Sequence, residues 1–218
     1  MIGHPKLWLT LFFVMPTLAG CASPTAQVDL AYHPDTAKKS SLSEVKPLTI
    51  ALQIALQIDD QRHWTERGKL GIKKNIKGQV MAPVVSNRDV TAVIYAALKA
   101  ELENNHYIVN SAPNGSDADF SMGVELQRYW ADHLESFTRS ELVGSIIANV
   151  VVVDRPGRTV FGPKTVQVTF TENRHWFLGD RAFESILNGV LVEFVNAVTR
   201  DPILLDAIRS SPKLSSSN

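Results

Sequence analysis

The sequence predicts an α+β domain with a mainly antiparallel sheet and two long helices packed on one face. Several segments alternate apolar and polar residues, the period of a half-buried strand. Two others place apolar residues at i, i+3, i+4 and i+7, the stripe of an amphipathic helix. The order is strand, helix, strand, three linked strands, helix, which suits helices grouped against one side of a sheet.

The first strand is read at Leu48 to Ile58. Leu48, Ile50, Leu52, Ile54, Leu56 and Ile58 share one face, while Thr49, Ala51, Gln53, Ala55 and Gln57 share the other. A helix follows over Asn87 to Asn104, with Val90, Val93, Ile94, Ala97, Leu98 and Leu102 as its stripe. Ser86, Asn87 and Asp89 offer capping oxygens, and Asn104-Asn105 ends the helix because Asn tolerates the left-handed region. Tyr107-Ile108-Val109 is a short strand. Ala118 to Trp130 alternates, with Phe120, Met122, Val124 and Leu126 inward.

Glu135 to Asp154 and Thr159 to Thr171 form the next pair. Arg155-Pro156-Gly157-Arg158 joins them as a type II turn, with proline second and glycine third. Gly162-Pro163 marks a bulge or an edge. The second long helix spans Asp180 to Arg200, with Asp180 as N-cap and Phe183, Ile186, Leu187, Val190, Leu191, Phe194, Val195 and Val198 inward. Asp201-Pro202 stops it and starts a short helix through Ile208. The sheet's second face carries Gln, Thr and Ser, and is either solvated or covered by a partner.

The chain has 218 residues, with 22 basic and 22 acidic side chains. One domain with a sizeable core fits that length. The balanced charge removes any global argument for nucleic acid.

The N-terminus has the three parts of a secretory signal. Lys6 lies in the n-region, Leu7 to Met15 is apolar, and Pro16 to Gly20 precedes the single cysteine. The apolar run is shorter than the roughly 20 residues a membrane span needs. Leu18-Ala19-Gly20-Cys21 resembles a bacterial lipobox, which implies cleavage before Cys21 and acylation of it. Several acyl chains at one residue anchor stably where one would not. Acylation also disposes of a free thiol in an oxidising compartment. Ala22, where an Asp would signal retention, resembles the sorting pattern of outer-membrane lipoproteins. The expected organisation is a signal over 1–20, a lipidated N-terminus and linker over 21–47, a domain over 48–209 and a disordered tail over 210–218.

Val28-Asp29-Leu30, Ile58-Asp59-Asp60-Gln61-Arg62 and the pattern Asp89…Leu98…Leu102…Tyr107-Ile108-Val109 resemble YajG-type lipoproteins, as does the closing Phe183-to-Ile208 region. Asp60 and Arg62 are the most specific part of that likeness. It implies an outer-membrane lipoprotein and carries no activity. At fold level the element order is also similar to auxiliary lipoproteins of lipid-trafficking ABC transporters.

Candidate contacts fall in two groups. Arg62, Arg67, Lys69, Lys73, Lys74 and Lys77 face only Glu66 over residues 62–77. With Gly68, Gly71 and Gly78 they form a basic loop or hairpin, either a solvated charge run or a contact for anionic lipid, cell-wall polymer or an envelope protein. Trp64, Trp130 and Trp176 sit at strand ends or loops, where aromatics cover a core edge or meet a ligand. Asp60 and Arg62 share a face and can pair. His33, His63, His106, His133 and His175 lack metal-site spacing, and no nucleophile elbow or phosphate loop occurs. The sequence therefore predicts no enzyme, no cofactor and no metal. It predicts a lipid-anchored binding or envelope-assembly protein on the periplasmic side of the outer membrane, or an accessory that binds or transfers an apolar ligand.

Overall fold

The computed structural model describes residues 25–34, 53–75, 77–110, 118–136, 139–174 and 179–210. The expectations for the signal, Cys21, Leu48 to Leu52, His175, Trp176 and the tail beyond Ser210 lie outside the described residues.

The elements are β1 (Ala26–Val28), β2 (Gln53–Asp60), β3 (Gly71–Lys74), β4 (Val80–Ser86), α1 (Val90–Asn104), β5 (Ile108–Asn110), β6 (Phe120–Ser136), β7 (Arg139–Asp154), β8 (Thr159–Arg174), α2 (Asp180–Thr199) and α3 (Pro202–Arg209). All the strands join one sheet. The expected mainly antiparallel sheet with two long helices is corrected here. The sheet is mixed: β3–β4, β6–β7 and β7–β8 are antiparallel, while β1–β4, β2–β5, β2–β6 and β3–β6 are parallel. Among the described residues there are three helices, one long at 20 residues and the others of 15 and 8. Alternation tells which face a side chain takes, but not which way the neighbouring strand runs.

One edge of β6 carries two of the parallel pairs. Its first half, Phe120 to Leu126, takes β2, and Ala131 further along takes Gly71 of β3. The chain leaves that edge after Asp60 and rejoins it at Gly71 in the same direction. The Gln61 N–H donates to the Leu126 carbonyl at 2.8 Å, and the Ala131 N–H donates to the Leu70 carbonyl at 2.7 Å. Loop 61–70 is therefore stitched to β6 at both ends. Only glycine fits at its exit, because a Cβ on Gly71 would lie 2.6 Å from the Ala131 carbonyl oxygen.

Beside that loop, β6 carries a bulge between Leu126 and Arg128. Phe120, Met122, Val124 and Leu126 are buried before it; Tyr129, Ala131 and His133 are buried after it. The extra residue switches the inward set from even to odd positions. The inward face then joins all three helices in one cluster that includes Phe183, Phe194, Leu98 and Leu204.

The caps show why the helices start and stop where they do. The Asp89 carboxylate accepts from the Ala92 N–H at 2.9 Å and opens α1. Asn105 closes α1 with ordinary φ, its Nδ2 donating to the Glu101 carbonyl at 2.6 Å, and the left-handed residue is His106 (φ 67°). The N-cap of α2 is Gly179, so Asp180 is its first residue and not its cap. Asp201 caps α3 through the Ile203 N–H at 2.9 Å, with Pro202 in the first turn.

The β7–β8 turn lies one residue earlier than expected. The Gly157 N–H donates to the Asp154 carbonyl at 2.8 Å, and Gly157 takes φ 87°. Residues after β1 follow α2. Asp29 N–H donates to Glu184 at 3.0 Å, Ala31 N–H donates to Asn188 Oδ1 at 3.0 Å, and Leu30 is fully buried between them.

Candidate functional site

Loop 61–70 builds the most charged region. Arg62 is 3% exposed. Its Nε and Nη2 hold both oxygens of Asp60 at 2.9 and 2.7 Å, and its Nη1 donates to the Lys69 carbonyl at 3.2 Å. The Arg62 backbone N–H adds a bond to Asp60 at 3.0 Å. A planar guanidinium suits this two-oxygen grip and the carbonyl beyond it. Burial alone would raise the Asp60 carboxyl. The hydrogen bonds and charge of Arg62, with help from Arg67, outweigh it and hold the group below its ordinary range. The pair thus closes the loop on itself.

A cleft of about 410 Å³ opens beside this loop, against the start of α1. Asp59, Asp60, Arg62, Arg67, Arg88 and Asp89 line it. Arg67 donates Nε to the Arg62 carbonyl at 3.1 Å, and Arg88 donates to the Leu30 carbonyl at 3.2 Å. Hydrogen bonds from Thr91 and the Ala92 N–H hold Asp89 below its ordinary range. Carboxylates stabilised in this way are poor proton acceptors near neutral pH. The cleft presents mixed charge, suited to a polar contact and unsuited to an apolar ligand. Arg88 and Asp89 escaped the sequence reading as a site because both read there as helix-start residues.

The other basic residues separate. Lys73 pairs with Asp180 at the start of α2, at 2.9 Å. Lys69, Lys74 and Lys77 are exposed, and Lys74 and Lys77 flank the tip of the β3–β4 hairpin. Asn75 organises that tip, its carboxamide oxygen accepting from the Lys77 N–H at 2.9 Å and the Gln79 N–H at 3.0 Å.

The aromatics have different surroundings. Trp64 is 75% exposed, its ring 5.7 Å from that of His63. Trp130 is half-buried on the sheet's open face, where its Nε1 donates to Asp132 at 3.0 Å and Arg128 lies 5.9 Å from its ring. Trp176 lies outside the described residues. Among the described residues no group of His, Cys, Asp and Glu is arranged to hold a metal. On the inward face, fully buried Tyr129 donates its hydroxyl to the Leu187 carbonyl at 2.9 Å, and burial pushes its phenol pKa far up. Among the described residues that layer holds large buried side chains, Phe183, Phe194 and Leu98 with Tyr129.

This mixed sheet with helices on one side has relatives. The Xanthomonas campestris protein XCC0632 is similar in fold, with a TM-score of 0.51 at 13% identity over 86% of this chain and 99% of that one. A minor lipoprotein from Acinetobacter baumannii gives a TM-score of 0.42 at 10% identity, covering 71% of this chain and 92% of that one. No curated protein matches the chain. The chain belongs to a family of uncharacterised lipoproteins, which matches residues 41–209. The resemblance to YajG-type lipoproteins agrees with that membership. Membership implies a membrane-anchored place in the cell envelope.

Proposed function

We propose that this protein is held by acyl chains on Cys21 at the periplasmic face of the outer membrane. Its body acts there as a non-catalytic binding or assembly module. One observation supports this reading best: β6, β7 and β8 are 17, 16 and 16 residues long, and among the described residues the helices pack on one face of them. The other face presents half-buried Trp130, Val143, Ile147 and Val151 beside exposed Gln167, Thr169 and Thr171. Mixed apolar and hydrogen-bonding surface around an aromatic residue is the composition of a protein contact.

Two measurements test the two halves of the proposal. Cys21→Ser should remove the acyl mass and release the protein from membranes; unchanged mass and fractionation would contradict the anchor. A photoreactive residue at Gln167 should give a discrete cellular adduct, and one at Val192 on α2 should not. Adducts from Val192 alone would contradict the open-face assignment.

A further inference from the structure

We propose that the β3–β4 hairpin docks on the anionic headgroup surface of the same bilayer that holds the Cys21 acyl chains. This rests on the anchor proposed above and adds an orientation to it.

The direction of β1 supplies the first argument. β1 is parallel to β4, with Ala26 beside Val84. The chain therefore comes into the sheet from the end where Val80 begins β4, the hairpin tip. Five residue steps separate Cys21 from Ala26, a reach of at most about 18 Å. Four strand steps from Val84 back to Val80 cover about 13 Å. A tether this short holds that end of the sheet at the membrane surface.

The second argument is what that end presents. Lys74 and Lys77 are exposed, and the tip also exposes Val80 (68%) and Met81 (48%). Lys74 pairs in register with Val80. Leu134, three residues beyond the Gly71–Ala131 pair on β6, is itself 52% exposed. Cations around a small apolar tip match a surface of phosphates over hydrocarbon. Asp180 is already held by Lys73 and Glu184 accepts from Asp29, so two acids near this end are engaged. Glu141, across from Leu134, offsets part of the charge.

The test uses the acylated full-length chain in vesicles of phosphatidylethanolamine and phosphatidylglycerol that contain a headgroup nitroxide quencher. A fluorophore goes on Gln79→Cys at the tip, or on Ile203→Cys in α3. The 20 residues of α2 span about 30 Å between its Lys73-paired start and α3. The expected result is strong quenching at position 79 and little at 203. Lys74→Gln and Lys77→Gln should each lower the docked-to-undocked ratio about fivefold, with no change in urea midpoint. Equal quenching at both positions on vesicle-bound protein would overturn the docking and leave the anchor standing. Equal quenching at position 79 in neutral phosphatidylcholine vesicles would overturn the role of charge. Failure of the acylated chain to bind vesicles would overturn both proposals.

Discussion

Residues 61–70 and residues 71–80 carry the same kind of sequence, cations spaced by glycines, and the fold uses them oppositely. In the first stretch the key cation turns inward. Arg62 is buried, grips Asp60, and ties the loop to its own carbonyls. In the second, Lys73 is taken up by Asp180 while Lys74 and Lys77 stay in solvent. The difference comes from where the carboxylate stands. Asp60 is two residues from Arg62 on the same strand end, so the pair forms as the loop forms. Among the described residues no carboxylate pairs with Lys74 or Lys77. A charge count along the chain therefore overstates the free charge, and the fold divides it near Gly71.

The comparison can be broken most forcefully at Asp60. Asp60→Asn leaves a buried guanidinium without its counter-charge, and should lower stability by about 3 kcal/mol, read as a shift in urea midpoint. Gly71→Ala attacks the boundary between the two stretches. Its Cβ would press on the Ala131 carbonyl oxygen, and overpacking of that kind costs about 2 kcal/mol. The same urea titration measures it.

Acid gives a third handle. The folded Asp60 carboxyl is held below its ordinary value, so its stabilising contribution is complete above the unfolded pKa of about 4. That contribution is lost as pH falls through the lower, folded pKa. Urea midpoints should therefore drop on acidification below about pH 4, and drop less in Asp60→Asn. Asp89 and Asp154 are lowered too, so the variant keeps part of the acid response. The smallest effect belongs to the hairpin. Lys74→Gln with Lys77→Gln should change stability by less than about 0.5 kcal/mol, the ordinary surface range.

Much of the fold was legible in the sequence. The stripes of α1 and α2 follow from periodicity alone. Asp201-Pro202 marked its helix start because a cap and an N1 proline act locally. What stayed hidden was non-local. No alternation reveals that β2 and β3 run parallel along one edge of β6. The bulge falls at the polar pair Gln127-Arg128, so the switch from Leu126 to Tyr129 as inward residues has no apolar signature. Asp180 read as a cap because its partner, Lys73, lies 107 residues away. Of the site, the Asp60–Arg62 pair was legible because it is local, while the contributions of Arg88 and Asp89 to the cleft required the tertiary fold.

The most direct test of this division is a double-mutant cycle on the full chain by urea denaturation, with Asp60→Asn, Arg62→Gln and the double variant. If the loop is closed by that pair, the double variant should lose at least about 1 kcal/mol less than the sum of the singles, as for groups in one network. Strict additivity would mean that the two side chains stabilise the loop independently, and the contrast between the two basic stretches would fail.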